Sequence, residues 1–177
     1  MIKIIVAFCA VAISTGAVAQ QEQIVDWQST RWHMTLEQVA AISSAIAPTT
    51  AAERRDHSNP DIGVALLKSR YVAEQIEYTA YYWFRDDKLV SVALKPQDFR
   101  HWPRVSYSLE QIYGKPGEDN SQKLSATTGC LGRDRIWISE RDKMIVKFFA
   151  LECNRHRHLN SYTIRYEPVL TRDKTRP

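Results

Sequence analysis

The chain has 177 residues, with 24 basic and 20 acidic side chains and a formal charge of +4. That length suits one ordinary domain or two small subdomains. Lys and Arg are spread along the chain and mixed with acids, which argues for a solvated mixed surface and against the one-sided basic face of a nucleic-acid domain.

The amino-terminal segment has a pattern of its own. Lys3 supplies a positive start, Ile4 to Ile13 form an apolar run, and Gly16-Ala17-Val18-Ala19 places small residues before Gln20. This is the tripartite pattern of a secretory signal peptide, residues 1–19, cleaved after Ala19. The apolar run is shorter than the roughly 20 residues a membrane span needs, and no second run of that length follows. Lipidation at Cys9 is the competing reading, but Phe8 stands where a small residue belongs. The expectation is a periplasmic or secreted chain, residues 20–177, with no transmembrane segment.

Residues 20–33 read as an extended lead-in that packs Trp27 and Trp32. Thr35 is an N-cap and Gln38 completes a capping box. Leu36, Val39, Ile42 and Ile46 keep helical spacing until Pro48 stops the helix. Residues 48–63 are a connection, with one helical turn at Ala51 to Arg55, and Val64 to Tyr71 reads as a strand. Ile76, Tyr78, Ala80, Tyr82 and Phe84 alternate with Glu77, Thr79, Tyr81, Trp83 and Arg85, the period of a strand. Asp86-Asp87 turns it into a partner strand at Leu89 to Leu94, ended by Pro96. A second helix is predicted from Ser106 to Tyr113, stopped by Gly114 and Pro116. A strand over Ser121 to Thr128, a hairpin of Arg135–Ser139 with Met144–Leu151, and a last strand at Tyr162–Tyr166 follow, before a frayed tail at 171–177.

The second hairpin carries a disulfide inference. If residues 140–143 form its turn, the centre lies between Arg141 and Asp142, and Cys130 and Cys153 are equally far from it. Opposed residues lie about 4.5–5.5 Å apart, within the range a disulfide accepts. Two free buried thiols are the alternative. A redox-active pair needs a close C-x-x-C spacing, which is absent.

Thr35-Leu36-Glu37-Gln38-Val39 matches Ser108-Leu109-Glu110-Gln111-Ile112, and each copy is followed by a tryptophan, an acidic turn and an apolar strand. A tandem duplication, with halves 20–100 and 101–170, and a chance match are both open. The opening Met34-Thr35-x-x-Gln38-Val39 and the ending Leu109-x-x-Ile112-Tyr113-Gly114-x-Pro116 resemble small envelope domains in which helices lie on an antiparallel sheet. Such units occur in tandem in the β-lactamase inhibitor proteins and singly in the small lipoprotein subunits of the outer-membrane assembly machine. The chain departs from the latter by lacking a good lipobox. The resemblance implies fold, and protein binding by an exposed sheet face.

No P-loop, G-x-G-x-x-G, HExxH or G-x-S-x-G motif is present. His156 and His158 share a strand face near Cys153, but Arg155 and Arg157 interleave them, and a solvated loop explains them better than a zinc site. Glu37 and Glu110 suit the first turn of a helix better than acid–base work. No catalytic residue, metal ligand or cofactor is assigned.

The reading is an α+β fold: an antiparallel sheet of six to eight strands with two main helices on one face, in a single domain over 20–170. The expected function is that of an exported, non-catalytic protein that recognises an envelope or secreted protein through its sheet. If the face away from the helices is open, Tyr81, Trp83 and Arg85 lie together on it as a binding trio. The alternative is a small-ligand carrier or envelope hydrolase with a pocket between helices and sheet.

Overall fold

The computed structural model describes residues 27–125 and 129–169, with side chains omitted at 121–125. The signal-peptide, lipidation and tail readings lie outside the described residues, as does the end of the predicted 121–128 strand. The fold is α+β. Among the described residues nine antiparallel strands form one sheet: β1 (Ala47–Pro48), β2 (Ser58–Asn59), β3 (Gly63–Ala73), β4 (Ile76–Arg85), β5 (Lys88–Pro96), β6 (Glu118–Ser125), β7 (Cys130–Ser139), β8 (Met144–Cys153) and β9 (Ser161–Pro168). The order is β1-β3-β4-β5-β9-β8-β7-β6, with β2 paired to β3. The last strand thus enters the middle, and β5 pairs with β9 to join both halves into one sheet.

Three helices accompany the sheet: α1 (Leu36–Ala40), α2 (Ala51–Asp56) and α3 (Trp102–Tyr113). Val39 of α1 and Val105 and Leu109 of α3 pack on the inner face of the sheet, with Tyr78, Tyr82, Leu94, Trp137, Phe148 and Ile164. Burying one such large apolar side chain contributes about 1.5–3 kcal/mol, so this layer is the main source of stability. The helix α2 lies on the opposite, outer face, over Ala65, Tyr81, Trp83 and Ala93.

Only α3 is a long helix, with 12 residues. It begins at Trp102, four residues before the expected start, because Pro103 suits a first helical turn. Its end is as expected: Gly114 takes φ +80°, and the Trp137 indole donates to the Gly114 carbonyl at 2.8 Å. The capping box of α1 forms, with Thr35 Oγ1 accepting from the Gln38 amide at 3.3 Å and Gln38 Oε1 from the Thr35 amide at 2.9 Å. The helix nevertheless stops at Ala40, not near Ile46. The chain must turn there so that Ala47 and Pro48 can pair with Leu67 and Lys68 at the sheet edge.

Both hairpins form as expected. Asp86 and Asp87 have φ of 51° and 58°, the left-handed pair that matches strand twist in a two-residue turn. Cys130 faces Cys153 in the β7–β8 ladder, with Cα atoms 4.1 Å apart and the sulfurs bonded at 2.09 Å.

The two copies of the five-residue motif occupy different places. Thr35 caps α1, whereas Ser108 lies inside α3. Glu110 is consequently in the second half of its helix, beside Arg135 at 3.5 Å, and not in a first turn as the sequence suggested. The matched tryptophans also lie on opposite faces, Trp137 in the inner core and Trp83 under α2.

Candidate functional site

Strand alternation brings Tyr81, Trp83 and Arg85 to the outer face of β4, as the pattern required. The open hot-spot trio does not exist, however, because Tyr81 is 7% and Trp83 4% exposed. The connection over residues 49–62 folds back as a roof. Thr49 Oγ1 anchors it by donating to the Ala65 carbonyl at 2.8 Å. Thr50 and Glu53 form a second capping box that starts α2. Gly63 lets the roof close tightly: its φ is +130°, and a Cβ there would stand 2.2 Å from the Phe84 carbonyl oxygen.

The roof makes specific contacts with the aromatics. Glu53 Oε1 accepts from Lys68 Nζ at 2.6 Å and from the Tyr81 hydroxyl at 3.4 Å. The Lys68 hydrogen bond, then the Thr50 amide, holds the Glu53 carboxyl down to about 2. Burial, then the neighbouring Glu53, pushes the Tyr81 phenol up. The His57 ring packs on Tyr81 with centroids 4.1 Å apart, and burial, then Lys95, pushes the imidazole down. Arg165 reaches across from β9 and sets its guanidinium carbon 5.0 Å from the Trp83 ring centre. Only Arg85 remains exposed, donating to the Asp61 carbonyl at 2.9 Å.

The same face is different beyond β9. Ladder register sets Arg165 opposite Lys147, Lys147 opposite Ile136, Ile145 opposite Ile138 and Phe149 opposite Asp134. Ile138 is 61% and Phe149 37% exposed, with Ile136, Ile145 and Leu151 half-buried between and beside them. The outer side of β7 and β8 is therefore an apolar sheet face that the described residues leave accessible. Where it meets the roof there is a cleft of about 290 Å³, lined by Asp61, Ile62, Arg85, Val90, Lys147 and Glu167 among others.

Polar atoms concentrate along this boundary. Lys147 Nζ donates to Glu167 Oε2 at 2.6 Å. Glu167 Oε1, Arg165 Nε, Ser91 Oγ and Trp83 Nε1 are buried without a hydrogen-bond partner among the described residues. Ser91 is the cross-strand neighbour of Trp83, so these groups are contiguous on one face. A buried polar atom left unpaired costs free energy, and four such atoms of the described residues lie at this boundary.

A second cavity, about 130 Å³, lies on the inner side between α3 and the sheet. Tyr71, Tyr78, Tyr166, Leu109, Ile112 and Ile164 line most of it. Glu74 sits at its edge, accepting from Ser108 at 3.1 Å with Arg104 3.5 Å away. Burial pushes the Tyr78 and Tyr166 phenols up, so both are neutral hydrogen-bonding groups at neutral pH. His156 and His158 are exposed neighbours with rings 5.8 Å apart. Among the described residues no three His, Cys, Asp or Glu side chains converge as metal ligands. Comparison with protein families, with curated proteins and with solved structures finds no match for this chain.

The sequence could have foreshadowed the open face. Ile136, Ile138, Ile145 and Phe149 sit at the positions that alternate with core residues Trp137, Val146 and Phe148. Apolar residues on both faces of a strand signal either a second cover or an interface.

Proposed function

We propose that the chain is an exported binding protein that takes another envelope or secreted protein on the outer face of β7 and β8. The observation that carries this reading is the exposure of Ile138 and Phe149 on a sheet face whose other half is roofed. Contiguous exposed apolar patches mark interaction surfaces. The Cys130–Cys153 disulfide supports an oxidising compartment. No helix among the described residues is long and apolar enough to cross a membrane. The resemblance to envelope domains that bind through a sheet points the same way.

The test is affinity capture from envelope extract on the immobilised, oxidised protein. A partner held in stoichiometric amount should be lost when Ile138→Asp and Phe149→Asp are combined. The double variant should melt lower, because Phe149→Asp faces Asp134 across the ladder, so capture is compared at a temperature where circular dichroism shows both proteins folded. Retention of every captured protein by the double variant excludes this face as the site.

The inner cavity favours a second reading, a carrier of a small apolar ligand. A cavity of about 150 Å³ lined by apolar side chains accepts a benzene-sized molecule, and this one has about 130 Å³. Leu109→Trp, which fills it, should abolish binding of a small aromatic probe followed by tyrosine fluorescence. Equal binding by the variant removes this reading.

A further inference from the structure

We propose that Arg165 is an anion-reading centre on that face, seating an acidic side chain of the partner while the partner's adjoining apolar residues cover Ile136, Ile138, Ile145 and Phe149. This rests on the binding-face reading and specifies the partner's chemistry.

A guanidinium offers five hydrogen-bond donors in a planar fork. Arg165 is half-buried, yet it makes no hydrogen bond or ion pair with any described residue, and its Nε is shut away unpaired. Its one specific contact is the Trp83 ring at 5.0 Å. That contact anchors the guanidinium beside the ring without using its donors, which stay available for bidentate recognition of a carboxylate. Burial disfavours the Arg165 cation, and the nearby Glu167 carboxylate offsets this without hydrogen bonding to it, so an incoming carboxylate that fills the open donors is favourable.

The neighbours keep the site cationic. Lys147 stands directly opposite Arg165 and is engaged by Glu167 at 2.6 Å. Lys95 lies on β5, and Lys95 and Arg165 both act to depress His57. The acids on the strands of this face are Glu167, paired to Lys147 through Oε2 alone, Asp134 opposite Phe149, and Glu118 opposite Ile136 on the far edge. Lysine and arginine thus sit beside the roof and apolar side chains lie farther out.

Spacing defines the partner segment. Arg165 sits on β9, two strands from Ile136 on β7, but its side chain reaches the other way, to Trp83 on β4, four strands from β7. At the usual strand separation the guanidinium therefore lies roughly 10–19 Å from Ile136, which an extended segment spans in about three to six residues. The partner should carry Asp or Glu within about six positions of a large apolar side chain.

The experiment selects random twelve-residue peptides, displayed on phage, against the oxidised full chain, retaining those not bound by the Ile138→Asp, Phe149→Asp variant. The selected peptides should share an acid near a Leu, Ile, Phe or Trp. Converting that acid to its amide in a synthetic peptide should weaken binding at least tenfold on the unmodified protein. On Arg165→Gln the acid and amide forms should bind alike, and Arg165→Lys should restore part of the difference. Acid and amide peptides that bind the unmodified protein equally overturn the role of Arg165 while leaving the face in place. That comparison needs no variant to fold. An acid preference that persists in Arg165→Gln also overturns it. A library yielding no peptide sensitive to Ile138→Asp and Phe149→Asp removes the face itself, and Arg165 with it.

Discussion

The outer face of the sheet has two halves built from similar strands with different fates. On β4 and β5, Tyr81, Trp83 and Ala93 are buried beneath α2. On β7 and β8, Ile138 and Phe149 face outward with large exposed areas. Both halves put apolar residues at alternate positions, so strand pattern does not separate them. The difference is the length and chemistry of the preceding connection. Residues 49–62 carry two anchors, the Thr49 hydroxyl on Ala65 and Glu53 on Lys68, and those anchors hold a helix over the face. The connection from α3 to β6 spans only Gly114 to Gly117. It is too short to roof the sheet, and it bonds directly to the Ile136 carbonyl through Gly117 at 2.8 Å.

Truncating an aromatic on the roofed side tests how firmly α2 covers it. Trp83→Ala should cost about 3–5 kcal/mol in urea unfolding, the range for large aromatic side chains in cores. A loss below 1 kcal/mol would mean that the roof is loosely held and that the two halves are alike. The disulfide supports the open half. Removing it in Cys130→Ser, Cys153→Ser should cost about 3 kcal/mol by the chain-entropy argument for a loop of this size, seen as a lower midpoint in the same assay.

The roof should also respond to acid. The folded Glu53 carboxyl, at about 2, lies below its ordinary value of 4.5. Its contribution is therefore complete above pH 4.5 and is lost as pH falls from there through about 2. The stability gap between the unmodified protein and Glu53→Gln should narrow over that window in thermal melts, and a gap constant with pH would contradict the Lys68 pairing. The smallest effect is expected at the boundary. Ser91 is fully buried with no partner for its hydroxyl among the described residues. Ser91→Ala should be neutral or stabilising by up to about 1 kcal/mol, since an unsatisfied hydroxyl is costly to bury. A clear destabilisation would reveal an unseen hydrogen bond there.

Much of the local structure was legible in residue order. Thr35 and Gln38 announced a helix start, Gly114 a helix end, and Asp86-Asp87 a hairpin turn, because caps and turns are decided by side chains within a few residues of one another. The pairing of Cys130 with Cys153 was legible for a related reason: hairpin register is counted outward from a local turn. The length of α1 was not legible, because its end is set by pairing of Ala47 and Pro48 with a strand about twenty residues farther on. The motif shared by α1 and α3 did not fix a position in the helix either, since a hydroxyl residue caps one helix at Thr35 and sits inside the other at Ser108.

The candidate site divides along the same line. Residue order alone determined that Tyr81, Trp83 and Arg85 share one face of β4, because side chains alternate along a strand wherever it lies. Only the tertiary structure decided that two of the three are covered, that Ile138 and Phe149 are not, and that Arg165 crosses from the last strand to Trp83. Those outcomes depend on β9 entering the sheet between β5 and β8 and on one connection folding back over β4. Both are contacts between segments far apart in the chain, where burial of whole surfaces outweighs any preference that neighbouring residues can express.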